Sequence, residues 1–145
     1  MYETIFSIAN TLALLAWILL IILPHKAPTN WLLHRGLFFL LLAMAYGVFI
    51  VEGFQAGEGG NFGSIAGVRA LFASDAALLA GWIHYLAFDL FVGSWIVRDA
   101  KKWGIKHGWI IVPLIMCFML GPLGLLVYYL IRTLYQPKLI NEKFS

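Results

Sequence analysis

WIIVPLIMCFMLGPLGLLVYYLI, Trp109 to Ile131, is apolar almost throughout and is interrupted once, at Gly121-Pro122-Leu123-Gly124. A membrane-spanning helix needs about 20 apolar residues at about 1.5 Å each, so counting this stretch as a span decides the fold. The reading is a span over about 109–131 with a kink at Gly121, Pro122 and Gly124. Pro122 removes one helical hydrogen bond, and Gly124 permits close backbone approach. Such a kink serves packing between helices, or else bends one wall around an elongated ligand.

Working outward, three more apolar runs precede it, at about 5–23, 37–54 and 76–97. The first is stopped by Pro24-His25-Lys26, has no basic stretch before it and no small-residue cleavage site after it, and so is expected to be retained. Ser74-Asp75 supplies an N-cap signal for the third. With 62% hydrophobic and 12% charged residues, the chain is far more apolar than a soluble domain. The expectation is an all-α membrane protein, one integral membrane domain over 1–145 with four transmembrane helices. Between the second and third runs, a glycine-rich stretch gives way to Ile65, Val68, Leu71 and Phe72 at near-helical spacing, which predicts a short interfacial helix. Trp31, Trp103 and Trp109 fall at span ends, where indole rings prefer the headgroup region.

The basic residues are scattered through short loops, a pattern of membrane topology rather than nucleic-acid binding. With four spans, Lys26, Arg35, Arg98, Lys101, Lys102 and Lys106 share one side and Arg69, Arg132, Lys138 and Lys143 the other. The positive-inside rule then places both termini outside the cytoplasm. Cys117 is the only cysteine, so there is no disulfide framework and no CxxC pair. The glycine-rich stretch lacks the Gly-Lys-Ser/Thr ending of a phosphate loop, and haem, nucleophile-elbow and dinucleotide fingerprints are absent from the sequence.

Two ionisable residues stand out within the third run, in GWIHYLAFDLF from Gly81 to Phe91. A central aspartate costs about 2.5–3.5 kcal/mol to insert, so Asp89 requires a partner, a wet cavity or protonation. At 100° per residue, Trp82, Tyr85 and Asp89 share one helix face, extended by Asp75, whereas His84 lies about 140° around from Asp89, above Phe88. The two are therefore expected to flank a cleft or to face different neighbours. If the second run is antiparallel to the third, Glu52 and Tyr46 lie near His84, and Asn10 enters from the same side. A polar site is thus expected from Asn10, Tyr46, Glu52, His84 and Asp89. A transmembrane His also serves as a plain interhelical hydrogen-bonding group, and Asp99, between Arg98 and Lys101, reads as a loop counter-charge.

The run ALFASDAALLAGWIHYLAFDLFVGSWIVRDA, Ala70 to Ala100, with MLGPLGLLVYYLIR, Met119 to Arg132, resembles the abscisic-acid-deficient-four family of small multi-pass membrane proteins. Trp82, His84, Asp89-Leu90-Phe91 and Asp99 carry the resemblance, followed by Gly121-Pro122-x-Gly124-Leu125-Leu126. The plant members are implicated in forming neoxanthin, an allenic carotenoid, from violaxanthin. The resemblance implies a carotenoid or related isoprenoid lipid as partner. No Ser- and Arg-rich transit segment precedes the first run, so a bacterial inner membrane is the expected location.

Turning an epoxide into an allenic alcohol is an isomerisation, needing one acid and one base and no redox cofactor. Asp89 and His84, with Glu52, are the expected catalytic groups; Trp82, Tyr85, Phe88, Tyr46 and Asn10 are the expected substrate contacts. No metal is expected, because His25, His34 and His107 belong to the opposite side. The alternatives are a non-catalytic scaffold or lipid-binding subunit, and a metal-assisted hydrolase built on His84, Asp89 and Glu52. A homo-oligomer is a further expected association for so small a membrane domain.

Overall fold

The computed structural model describes residues 1–56 and 59–135. Gly57, Glu58, Lys138 and Lys143, which entered the loop and charge readings, lie outside the described residues. In chain order the helices are α1 (Tyr2–Ile22), the short α2 (Ala27–Thr29), α3 (Leu37–Ala56), α4 (Ile65–Leu71), α5 (Asp75–Lys102), α6 (His107–Leu120) and α7 (Pro122–Tyr135). A π-helical turn, Asn30–His34, joins α2 towards α3. Among the described residues, three helical runs are long and apolar enough to cross a membrane: Tyr2–Ile22, Ala27–Ala56 and Asp75–Lys102.

Helix α5 is the hub, packing against α1, α3 and α6. It is the least apolar of these three runs and the most buried, because other helices cover much of its surface. Ser74 caps it as its position predicts, the hydroxyl accepting from the Ala77 amide at 3.3 Å. The interfacial helix also forms, with Ser64 Oγ accepting from the Gly67 amide at 3.0 Å.

The stretch expected to be the fourth span is not one helix. It divides at Gly121, whose φ of +48° is a conformation that costs any other residue dearly. Pro122 then starts α7, where its missing N–H is no loss. Helices α6 and α7 have 14 residues each, about 21 Å of helix, against a hydrocarbon core about 30 Å thick. They fold back on one another. A Cβ at Gly124 would collide with the backbone of Cys117 and with the Pro113 carbonyl, contacts that a straight continuation would put several turns apart. The small-residue signal read as a kink is the closest-approach point of a helical hairpin.

Both ends of that hairpin lie at one end of the bundle. At the start of α6, His107 Nε2 bonds the Ile21 carbonyl, at the end of α1, at 2.7 Å. At the far end of α7, Arg132 Nε stands 2.9 Å from Asp99 Oδ2, near the end of α5. The tip, Gly121, instead meets Asp89 at the middle of α5. The expectation that the start of the first run and the end of the last share a side is corrected accordingly: α1 begins beside Glu52 and Asp75, and α7 ends, at Tyr135, at the opposite end of the bundle. Irregular backbone at this depth is tolerated where protein covers it, and Gly121 is buried.

The described core falls into two clusters. One joins Trp17, Leu20, Leu33, Leu90, Ile96, Leu114 and Tyr128 around the hairpin. The other joins Ala9, Ala13, Leu42, Phe49, Ala80 and Ile83 where α1 and α3 flank the first half of α5.

Candidate functional site: a carboxylate at the hairpin tip

Asp89 comes from the middle turn of α5 and is half-buried. Its carboxylate lies against the backbone of Gly121: a Cβ added there would sit 2.7 Å from Oδ1 and 3.1 Å from Oδ2. Only glycine fits, so two separate demands, positive φ and carboxylate contact, fall on one residue. The Cys117 thiol, one turn before the tip, donates to the Asp89 carbonyl at 3.5 Å. Asp89 Oδ2 is buried and has no hydrogen-bond partner among the described residues. Tyr85, one turn earlier on α5, donates through its hydroxyl to the Phe118 carbonyl at 3.5 Å, a long bond, and the same hydroxyl is the polar group of α5 next to the Asp89 carboxyl.

Because the hairpin reaches only half-way, the stripe running from Asp89 through Tyr85 and Trp82 to Leu78 is uncovered at its far end. Leu78 is 59% and Trp82 38% exposed. Between that end and the start of α1 lies a cavity of ≈ 440 Å³, with Phe6, Leu78 and Trp82 as apolar wall and Tyr2, Glu3 and Asp75 as polar rim. The Trp82 indole N–H donates to Asn10 Oδ1 at 2.9 Å, and its ring lies 5.2 Å from that of Tyr85. The arrangement is a notch beside the first turns of α5 and α1, and Asp89 lies about two turns beyond Trp82 on the same face of α5, outside the lining of that cavity.

The residues expected to share one site are distributed over three places. Asn10 meets Trp82 in the notch. Glu52 accepts from the Tyr2 hydroxyl, tying α3 to the start of α1. His84 faces the other way, stacked on Phe88 with ring centroids 4.5 Å apart and 5.7 Å from Tyr46. It borders a separate cavity of ≈ 250 Å³ with Tyr46, Phe54, Phe62, Phe72 and Gly81. Of the two outcomes helical geometry allows for His84 and Asp89, the structure has them facing different neighbours. His84, Asp89 and Glu52 therefore do not converge as a common ligand set, and the described residues contain no group of three His, Cys, Asp or Glu placed to hold a metal.

Sequence reasoning missed a second polar cluster, around Asp99. This carboxylate is no loop counter-charge: its side chain is 10% exposed and that of Arg132 15%. Oδ2 accepts from the Tyr128 hydroxyl at 2.6 Å and faces Arg132, while Oδ1 accepts from the Trp103 indole at 3.2 Å. The Arg132 guanidinium also lies over the rings of Trp103 and Tyr129, 5.2 and 5.7 Å from their centroids. Tyr128 and Arg132 are one turn apart, so their spacing was the available signal. Nearby, His34 is held between Ser94 Oγ at 2.8 Å and the Pro24 carbonyl at 2.9 Å.

The family model described as ABA DEFICIENT 4-like matches residues 4–128, from the first turn of α1 to Tyr128 of the hairpin. The chain belongs to the ABA DEFICIENT 4-like family. As a member of that family it carries both elements quoted for the resemblance, the Trp82 to Asp99 segment and the Gly121 tip, inside the matched region. No curated protein and no solved structure matches the chain significantly.

Proposed function

We propose that this ABA DEFICIENT 4-like protein is a cofactor-free acid/base isomerase embedded in a bacterial inner membrane, acting on a carotenoid or related isoprenoid lipid. The observation that carries the reading is the unpartnered Asp89 Oδ2, at mid-helix on the face of α5 that also carries Tyr85 and the cavity-lining Trp82. A buried polar atom left unpaired costs about 1–3 kcal/mol, and a carboxyl kept at span depth at that cost is a functional candidate.

In this proposal the apolar chain lies along Leu78, Trp82 and Tyr85, and its oxygenated end reaches Asp89. Asp89 in its acid form gives a proton to the epoxide oxygen. The C–O bond on the polyene side breaks and its electron pair stays with oxygen, leaving a tertiary hydroxyl. A proton leaves the adjoining polyene carbon, and its C–H electrons form the new C=C bond. The second carboxyl oxygen takes that proton, so one group returns to its starting state and the net change is an isomerisation. His84 is not needed at this centre; its aromatic pocket is the place for another part of an elongated ligand.

Purified protein in lipid vesicles is incubated with a 5,6-epoxycarotenoid, and the extract is resolved by chromatography and mass spectrometry. The expected product has the same mass, a shorter-wavelength absorption band and an allenic end group, and Asp89→Asn abolishes it. Pigment retained by the wild type without conversion marks a carrier instead, the binding alternative. Neither retention nor conversion overturns the proposal.

A further inference from the structure

The hairpin redistributes charge between the two ends of the bundle. Lys26, Arg35, Arg98, Lys101, Lys102, Lys106 and Arg132 all lie at or near the end where α6 enters and α7 leaves. Among the described residues only Arg69 lies at the other end, which instead carries Glu3, Glu52 and Asp75. A straight fourth span would move Arg132 across and blur this difference; the returning α7 sharpens it. Basic residues are attracted to an anionic cytoplasmic leaflet, and short basic loops stay on that side.

The notch lies in the opposite half. Its wall is exposed where no helix covers it, as Leu78 and Trp82 show, and the tip residues Met119 and Leu120 are 62% and 53% exposed. Its rim holds Glu3 and Asp75, carboxylates that repel a headgroup of net negative charge and accept hydrogen bonds from hydroxyls. We propose that the basic end of the bundle faces the cytoplasm and that the notch opens sideways into the non-cytoplasmic leaflet, admitting elongated lipids without net negative charge. The leaflet and the charge preference rest on reading the notch as the ligand site; the orientation does not.

Single cysteines are placed in a Cys117→Ala background at Ile65, Lys106 and Leu134, and right-side-out vesicles from the expressing bacterium are treated with a membrane-impermeant maleimide. Ile65→Cys is expected to react in sealed vesicles, Lys106→Cys and Leu134→Cys only after lysis. Leu134→Cys reacting together with Ile65→Cys overturns the hairpin topology; the reverse pattern at all three overturns the orientation. For the notch, phosphatidylcholine or phosphatidylglycerol with a photoactivatable chain is exchanged into one leaflet. Adducts are expected on Phe6, Leu78 or Trp82 from outer-leaflet phosphatidylcholine, with markedly fewer from phosphatidylglycerol. Equal labelling by both lipids overturns the charge preference, and labelling only from the inner leaflet overturns the side. These readouts do not involve pigment conversion, so their failure and the failure of the isomerase reading are told apart.

Discussion

Asp89 and Asp99 sit on the same helix, ten residues apart, and both touch the hairpin, yet they are treated oppositely. Asp99 holds a tyrosine hydroxyl, an indole N–H and a guanidinium. Asp89 has the bare backbone of a glycine on one side and an oxygen with no hydrogen bond. A carboxylate that is fully engaged holds structure together, and here it ties the end of α7 to the end of α5. One held in place but left unsatisfied stores capacity for something else. The hairpin thus carries a latch at its base and an open acceptor at its tip.

Breaking the latch is expected to have the largest effect. Asp99→Asn strands Arg132 without its counter-charge, a change worth about 3–5 kcal/mol when such a pair is buried, discounted here for partial exposure; the melting temperature in detergent should fall clearly. Gly121→Ala comes next, losing about 1–3 kcal/mol to backbone strain and pushing the tip away from Asp89, so both stability and pigment binding should drop. Tyr128→Phe removes one hydrogen bond and keeps the ring against Trp95, costing about 1 kcal/mol by the same melting assay. Asp89→Asn should cost least, leaving the melting temperature unchanged or raised while ligand conversion is lost. If Asp89→Asn melts as low as Asp99→Asn, the contrast between the two carboxylates collapses.

Much of the frame was legible in the chain. Hydropathy located the three helical runs long and apolar enough to span. Ser74 marked the start of α5, the spacing of Ile65, Val68, Leu71 and Phe72 marked α4, and the periodicity of Trp82, Tyr85 and Asp89 placed them on one face and His84 on another. The hairpin was not legible because hydropathy scores a turn buried in protein like a helix crossing lipid: both are apolar. Gly121 gave a local sign, but a kink and a reversal use the same Gly-Pro chemistry, and only the contact of Gly124 with Cys117 and Pro113 separates them. Asp99 was misread for a related reason. Its sequence neighbours Arg98 and Lys101 are basic, yet its partners Tyr128 and Arg132 come from a helix assumed to end on the far side. Once α7 returns, the counter-charge becomes the latch, and the expected single polar site separates into a notch, a His84 pocket and a Tyr2–Glu52 tie.

The most direct test compares the two carboxylates by their chemistry. A hydrophobic carbodiimide partitions into the membrane and modifies carboxyl groups accessible there in the acid form. Applied to the protein in vesicles and followed by peptide mass spectrometry, it is expected to modify Asp89 and spare Asp99, and a bound epoxycarotenoid should protect Asp89. Modification of Asp99 in preference to Asp89, or modification of Asp89 that the pigment does not slow, would contradict the assignment of Asp89 as the working carboxylate.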